Sequence, residues 1–194
     1  MTDPKKEIWL MRHGETEWSA QGMHTSRTDL PLLPSGIKQA EELREKLKSR
    51  KFGLVLVSPM QRARETCRLA GYADVARVTN DLKEWDYGAY EGRTTADIRK
   101  ERPTWSLWRD GVIDGEPIAH VGSRVQRVIE QCLSANGDVA LFAHGHVLRI
   151  LAAVWLGLAP DRGQLFMLGT GTISILGFEH DYRVIKCWNA AQIS

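Results

Sequence analysis

The sequence predicts an α/β fold, a three-layer sandwich with a mostly parallel central sheet flanked by helices. Leu54-Val55-Leu56-Val57 and Val139-Ala140-Leu141-Phe142-Ala143 are short, continuous apolar runs. Strands buried on both faces read this way, without the alternation of a half-wetted sheet. Ahead of the first run, residues 35–50 place Ala40, Leu43 and Leu47 at helical spacing opposite Glu41, Glu42, Arg44, Glu45, Lys46 and Lys48. An amphipathic helix between two buried strands is a crossover, and crossovers join parallel strands.

The first strand is Glu7 to Met11, and it delivers Arg12-His13-Gly14 at its end. The helix over 35–50 follows, then a second strand from Gly53 to Val57. Ser58-Pro59-Met60-Gln61 opens the next helix: serine can cap, proline tolerates the first helical position, and glutamine can reach back. Its buried face is Met60, Ala63, Cys67 and Ala70. Val121, Val125, Val128 and Cys132 define a further helix ahead of the strand Val139 to Ala143. An apolar helix then runs from Val147 to Leu156, and strands from Ile173 to Phe178 and from Arg183 to Cys187 complete the pattern. Neither repeat nor linker divides the chain, so residues 1–194 are expected to form one domain. The stretch Tyr87 to Pro117, rich in charge and tryptophan, lacks a clear period and is expected to cover the site.

Composition narrows the function. The chain has 194 residues, 43% hydrophobic and 26% charged, with a formal charge of +2 and no long basic block. These values suit a globular domain acting on small anions, and show neither a nucleic-acid footprint nor a spanning segment. Cys67, Cys132 and Cys187 are odd in number and far apart, which argues against a disulfide framework or a zinc ribbon and points to a reducing cytoplasm. Met1 to Glu7 lead directly into a strand, so no export signal is expected.

In parallel α/β sheets ligands gather where strands end and helices begin. Here one strand end carries Arg12 and His13, the second leads into Ser58 and Arg62, and Val139 to Ala143 ends at His144. Two histidines and two arginines converging on one point repel each other unless an anion joins them. A phosphoryl group fits: its oxygens can take Arg12, Arg62 and His144 while a neutral His13 attacks phosphorus in line. A leaving alkoxide needs a proton, and Glu84 or Asp86 can supply it. Glu84, beside Trp85, can donate and later draw a proton from water. Read without that context, Arg12-His13 is a core histidine beside a surface arginine, and Glu84 a solvated carboxylate.

Leu10-Met11-Arg12-His13-Gly14-Glu15-Thr16 resembles the nucleophile signature of the histidine phosphatase superfamily, also called the phosphoglycerate mutase-like fold. Asp29-Leu30-Pro31-Leu32 followed by Gly36 resembles its downstream turn, and Ser58-Pro59-Met60-Gln61-Arg62-Ala63-Arg64-Glu65-Thr66 resembles the segment carrying its second phosphate arginine. The resemblance implies roles as follows: His13 as nucleophile, Arg12 and Arg62 as phosphate ligands, Glu84 as proton donor, and His144, in Ala143-His144-Gly145, as the second catalytic histidine. It implies a phosphatase that needs neither metal nor other cofactor, because His13 itself carries the phosphoryl group. Ser19 stands where many members have a phosphate-touching asparagine, so either its shorter hydroxyl takes that contact or a water intervenes. Pro117 replaces a usual serine or threonine and removes a helix-capping hydroxyl.

Trp18-Ser19, Thr25 to Asp29, Glu84 to Gly88, Trp108 to Gly111 and His144 to Arg149 look most like the sedoheptulose-1,7-bisphosphatase type. A bisphosphate needs a second anion site, for which Thr25, Arg27, Arg109, His146 and Arg149 are the candidates. Arg149 either binds a distal phosphate or pairs with a carboxylate as support. Trp85, Trp105 and Trp108 either shape a sugar pocket or fill core. His144-x-His146 resembles a fragment of a metal site without the remaining ligands. The expected partner is a small phosphorylated metabolite, with neither nucleic acid nor membrane, and self-association is left open. A mutase that returns the phosphoryl group to another hydroxyl, or a noncatalytic phospho-ligand module on the same fold, are the alternatives.

Overall fold

The computed structural model describes residues 6–48 and 50–191. The leader reading, over Met1 to Lys5, and Ser49 within the expected helix lie outside these residues. The elements in chain order are β1 (Ile8–Arg12), α1 (Glu17–Ala20), α2 (Pro34–Leu47), β2 (Leu54–Val57), α3 (Gln61–Leu69), β3 (Ala76–Val78), α4 (Thr95–Glu101), α5 (Leu107–Asp110), α6 (Ile118–Ser134), β4 (Val139–Ala143), α7 (Gly145–Trp155), β5 (Ile173–Glu179) and β6 (Tyr182–Ala190).

They build a six-stranded sheet in the order β3-β2-β4-β1-β5-β6. The first four strands are mutually parallel, while β5 and β6 run antiparallel at the other side. The expected α/β class and mostly parallel sheet are what the structure shows. Strand alternation divides the apolar side chains between two layers. Ile8, Leu10, Leu56, Val139 and Leu141 meet Val121, Val125, Val128 and Cys132 of α6 and Val147, Leu148 and Leu151 of α7. Trp9, Met11, Val55, Val57, Ala140 and Phe142 meet Leu43 and Leu47 of α2 and Ala63 and Cys67 of α3. Both faces of the central strands are thus covered, which is why β4 reads as unbroken apolar sequence.

Several boundaries move. The second helix ends at Leu47, short of Arg50, and β1 extends to Arg12. Met60, expected on the buried face of α3, is only half-buried, and that face instead includes Arg62 and Thr66. Ser58 does not cap α3: the cap position is Met60, without a side-chain bond, and Asp29 accepts the Gln61 N–H at 2.8 Å from across the fold. Pro117 starts α6 without a side-chain cap, as its sequence implied. The three-residue β3 and the short helices α1, α4 and α5, of one to two turns, are too short to show a period.

One close approach positions the loop after β1. A Cβ on Gly14 would lie 2.2 Å from the Gly36 carbonyl oxygen, and one on Gly36 would lie 2.2 Å from that of Glu15. Only glycine at both positions lets the start of α2 rest on the backbone beside His13.

Candidate active site

The parallel register places the key groups side by side. Arg12 pairs with Ala143 and Val57 with Phe142, so β1, β2 and β4 end at nearly one level. The His13 N–H then donates to the Ala143 carbonyl at 3.0 Å, and the Ser58 N–H to that of Phe142 at 3.0 Å. The rings of His13 and His144 meet edge to face with centroids 5.1 Å apart.

His13 has a defined tautomer. Its Nδ1 lies 2.7 Å from the Gly14 carbonyl oxygen, and a carbonyl only accepts, so Nδ1 carries the proton and Nε2 keeps its lone pair. Burial, then the Arg12 and Arg62 guanidinium groups, push its pKa well below the ordinary histidine value. His13 is therefore a neutral imidazole with a free ring nitrogen facing a cavity of about 340 Å³, a volume suited to a small metabolite.

Arg12, His13, Thr16, Ser19, Met23, His24, Thr25, Glu84, Tyr87, Thr95, Gly145, His146, Arg149 and Leu168 all line that cavity. Arg12 donates to the Leu168 carbonyl at 2.5 Å, and its Nε is buried without a partner among the described residues. Glu84 is held by the start of α7. Its carboxylate accepts N–H bonds from Trp85 at 2.9 Å, His146 at 3.0 Å and Val147 at 2.9 Å. The helix N-terminus thereby fixes both oxygens. Asp86, the other candidate acid, accepts from the Gly88 N–H and pairs with Arg27 at 3.2 Å, away from the cavity lining.

Arg62 and His144 form a second tier. Arg62 is fully buried; its Nε donates to His144 Nδ1 at 3.1 Å, while its terminal nitrogens donate to the carbonyls of Thr25, Ser26 and Thr28. Because Nδ1 of His144 accepts, its Nε2 carries the proton and donates to Ser58 Oγ at 2.7 Å. Burial, with Arg62, His13 and Arg12, keeps this ring neutral as well. Of the four basic groups expected to meet on one anion, Arg12 and His13 line the cavity, while Arg62 and His144 are fully buried and absent from its lining. Ser58, read as a cap, was the missed member.

Other expectations divide. Ser19 lines the cavity, but its hydroxyl donates to the Thr16 carbonyl and accepts the Thr16 N–H, closing a capping box on α1 instead of facing an anion. Thr25 lines it with its hydroxyl bonded to the Met23 carbonyl at 3.1 Å. Arg27 and Arg109 are not brought in; Arg109 is exposed, bonded to Asp110 and the Thr104 carbonyl. Arg149 reaches the cavity, with its guanidinium 4.7 Å above the Trp108 ring and its Nε donating to the Gly163 carbonyl at 3.1 Å. Its observed partners among the described residues are the carbonyls of Gly163 and Gln164 and the Trp108 ring, with no carboxylate in ion-pair contact. Trp85 and Trp105 are core, their indole N–H groups bonded to the carbonyls of Glu116 and Gly111. Among the described residues, no group of three histidine, cysteine or carboxylate side chains is arranged to hold a metal ion.

An apolar groove of about 530 Å³ beside α3 and β3, lined by Ile37, Val57, Cys67 and Val78, holds no comparable cluster.

A neutral ring nitrogen beside a buried guanidinium, at parallel strand ends, with a carboxylate in the same cavity wall, is a site for phosphoryl transfer through histidine. The chain belongs to the histidine phosphatase superfamily (branch 1), whose model matches residues 8–191. It is a metal-independent phosphatase of that superfamily, acting on small phosphorylated substrates. It is 39% identical over 180 residues to an acid phosphatase of Mycobacterium tuberculosis, covering 91% of this chain and 88% of that one. A sedoheptulose 1,7-bisphosphatase of Saccharomyces cerevisiae is 37% identical over 186 residues, covering 79% of this chain and 68% of the relative. These two identities do not single out the sedoheptulose type that the motifs resembled. Among solved structures, the protein of open reading frame Rv3214 of Mycobacterium tuberculosis superposes with a TM-score of 0.89 at 37% identity, covering 95% of this chain and 97% of that one. No helix among the described residues is long and apolar enough to cross a membrane.

Proposed function

We propose that the chain hydrolyses a phosphorylated sugar, with preference for a bisphosphate, through a phosphohistidine at His13. The observation that carries this reading is the free Nε2 of His13 beside a cavity whose lining includes both Arg12 and Arg149. In the first step Nε2 forms a bond to phosphorus as the ester P–O bond breaks, and Glu84 gives its proton to the departing alkoxide. The imidazole becomes cationic, and the Gly14 carbonyl on Nδ1–H stabilises that charge. In the second step Glu84 takes a proton from water, the water oxygen bonds to phosphorus, the N–P bond breaks, and inorganic phosphate leaves.

Arg12 supplies the direct anion contact, and its partnerless Nε suits that role. Arg62 and His144 act from below: the guanidinium adds positive potential and fixes the His144 ring, which in turn packs against His13. Residues 87–117 contribute Tyr87 and Thr95 to the wall, which supports a covering role for that stretch. Arg149, which makes no ion pair with a carboxylate among the described residues, is assigned the distal phosphate in this reading.

The test compares a sugar bisphosphate with the matching monophosphate before and after Arg149→Ala. The expected result is a loss of kcat/KM of about 10- to 100-fold on the bisphosphate, the worth of a charge-assisted hydrogen bond, with little change on the monophosphate. An equal loss on both sinks the distal-phosphate assignment. Isomerised product without net phosphate release contradicts the hydrolase reading.

A further inference from the structure

The cavity wall contains two imidazoles, His24 and His146, and a phenol, Tyr87, that hydrolysis itself does not use. His24 is held in place through its backbone: its N–H donates to the Arg93 carbonyl at 3.0 Å and its carbonyl accepts the Gly92 N–H at 2.8 Å. Its ring lies on Tyr87 with centroids 4.8 Å apart, meets Trp105 edge-on at 5.8 Å and faces His146 at 6.3 Å. The residue is 8% exposed, lines the cavity, and has a buried Nε2 without a hydrogen-bond partner among the described residues.

A phenylalanine would fill the same aromatic stack without leaving a polar atom unpaired, and an unpaired buried polar atom costs about 1–3 kcal/mol. The imidazole therefore has a use outside the folded core. Burial lowers the pKa of His24 to about 4, so the ring is uncharged near neutrality and offers one N–H donor and one lone pair.

Next to it, the Tyr87 hydroxyl and His146 Nδ1 are 2.6 Å apart. Burial raises the Tyr87 pKa well above that of an ordinary phenol and lowers that of His146 well below that of an ordinary histidine, so both are neutral. The pair then carries one O–H and one N–H proton. One lies in the shared bond, and the other remains a donor whichever group donates.

Resting on the phosphatase reading, we propose that His24, together with the Tyr87–His146 pair, is a specificity wall that reads hydroxyl groups and selects phosphate esters of polyhydroxylated compounds. A hydroxyl both donates and accepts, as a neutral imidazole does, so each can satisfy the other. A second anion is drawn to Arg149 instead. An alkyl or aryl group leaves the wall's donors unpaired, and sites built to hydrogen-bond a substrate hydroxyl discriminate against analogues that lack it. The wall is preorganised, because Gly92, Arg93 and the flanking rings fix His24 before substrate arrives.

His24→Phe keeps the aromatic stack and removes both nitrogens. With the most reactive member of a sugar-phosphate panel, kcat/KM is expected to fall at least about 10-fold, one hydrogen bond's worth, while phenyl phosphate changes by less than about 2-fold. Deoxy analogues of the same sugar phosphate, tested on the unmodified protein, should show a comparable loss for at least one position, and that loss should vanish in His24→Phe. Parallel changes on both esters, or no change on either, overturn the proposal. If His24→Phe does not fold, the deoxy series decides: equal kcat/KM for every analogue overturns the wall. Absence of phosphate release from every ester of the panel by the unmodified protein is a separate failure, of the phosphatase reading itself.

Discussion

His13 and His144 stand one residue past the ends of adjacent parallel strands, whereas His24, Tyr87 and Arg149 reach the same cavity from a loop, an irregular segment and a helix. The first group inherits its positions from sheet register and is backed by buried bonds among Arg62, His144 and Ser58. The second is assembled by contacts between distant segments, such as the Arg93 carbonyl on His24 and the Gly163 carbonyl on Arg149. The reacting end is thus a property of the fold, and the distal end can vary its chemistry without disturbing the sheet. Substitutions at the two ends should fail in different ways.

The largest effect belongs to the reacting end. His13→Ala removes the ring nitrogen left free beside Arg12, and kcat should fall by at least about 10³-fold on every substrate, aryl or sugar, in a phosphate-release assay. Residual turnover within about 10-fold of the unmodified protein would place the nucleophile elsewhere. Glu84→Gln comes next, with a fall in kcat of about 10²- to 10³-fold. It should also lower stability by about 1–3 kcal/mol in urea unfolding, because an amide NH₂ would face a backbone N–H that a carboxylate oxygen now accepts. Lost activity with unchanged stability would contradict the bonds drawn to the start of α7.

A smaller effect sharpens the comparison through pH. His13, His24, His144 and His146 all have pKa values lowered by burial, so the folded state keeps them neutral while the unfolded chain takes up protons near pH 6.5. Stability is therefore full above that value and declines as pH falls below it. For His24 the window runs from about 6.5 to about 4, with a slope of up to roughly 1 kcal/mol per pH unit for each histidine. His24→Phe should flatten the denaturation midpoint's dependence over that window; an unchanged slope would mean that His24 does not stay neutral. The smallest effect lies outside the site. Burial pushes the Cys67 and Cys132 thiols up to about 12, so a thiol reagent at pH 8 should label only the half-buried Cys187 in the native protein.

The same contrast explains what the sequence disclosed. His13 and His144 were legible because a strand of continuous apolar residues dictates where it ends, and the next residue lands at the sheet's carboxyl edge. Arg62 was legible as a partner of the site but not as a buried one, since its bonds to the carbonyls of Thr25, Ser26 and Thr28 depend on a loop with no period of its own. Ser58 looked like a cap because local spacing favours that use; its bond to His144 spans 86 positions of sequence. Arg27 and Arg109 carry the right charge but pair with Asp86 and Asp110 at the surface. The unpaired Nε2 of His24 has no local signal, because it follows from what surrounds the ring in three dimensions.

The central claim is that His13 Nε2 takes the phosphoryl group. It is tested most directly by rapid acid-free quenching of the protein after mixing with a ³²P-labelled phosphate ester, followed by peptide mapping. Label that is acid-labile, stable in base, confined to the peptide bearing His13 and absent from His13→Ala is the predicted result. Steady hydrolysis with no such label on a burst timescale, or label on another residue, would contradict it.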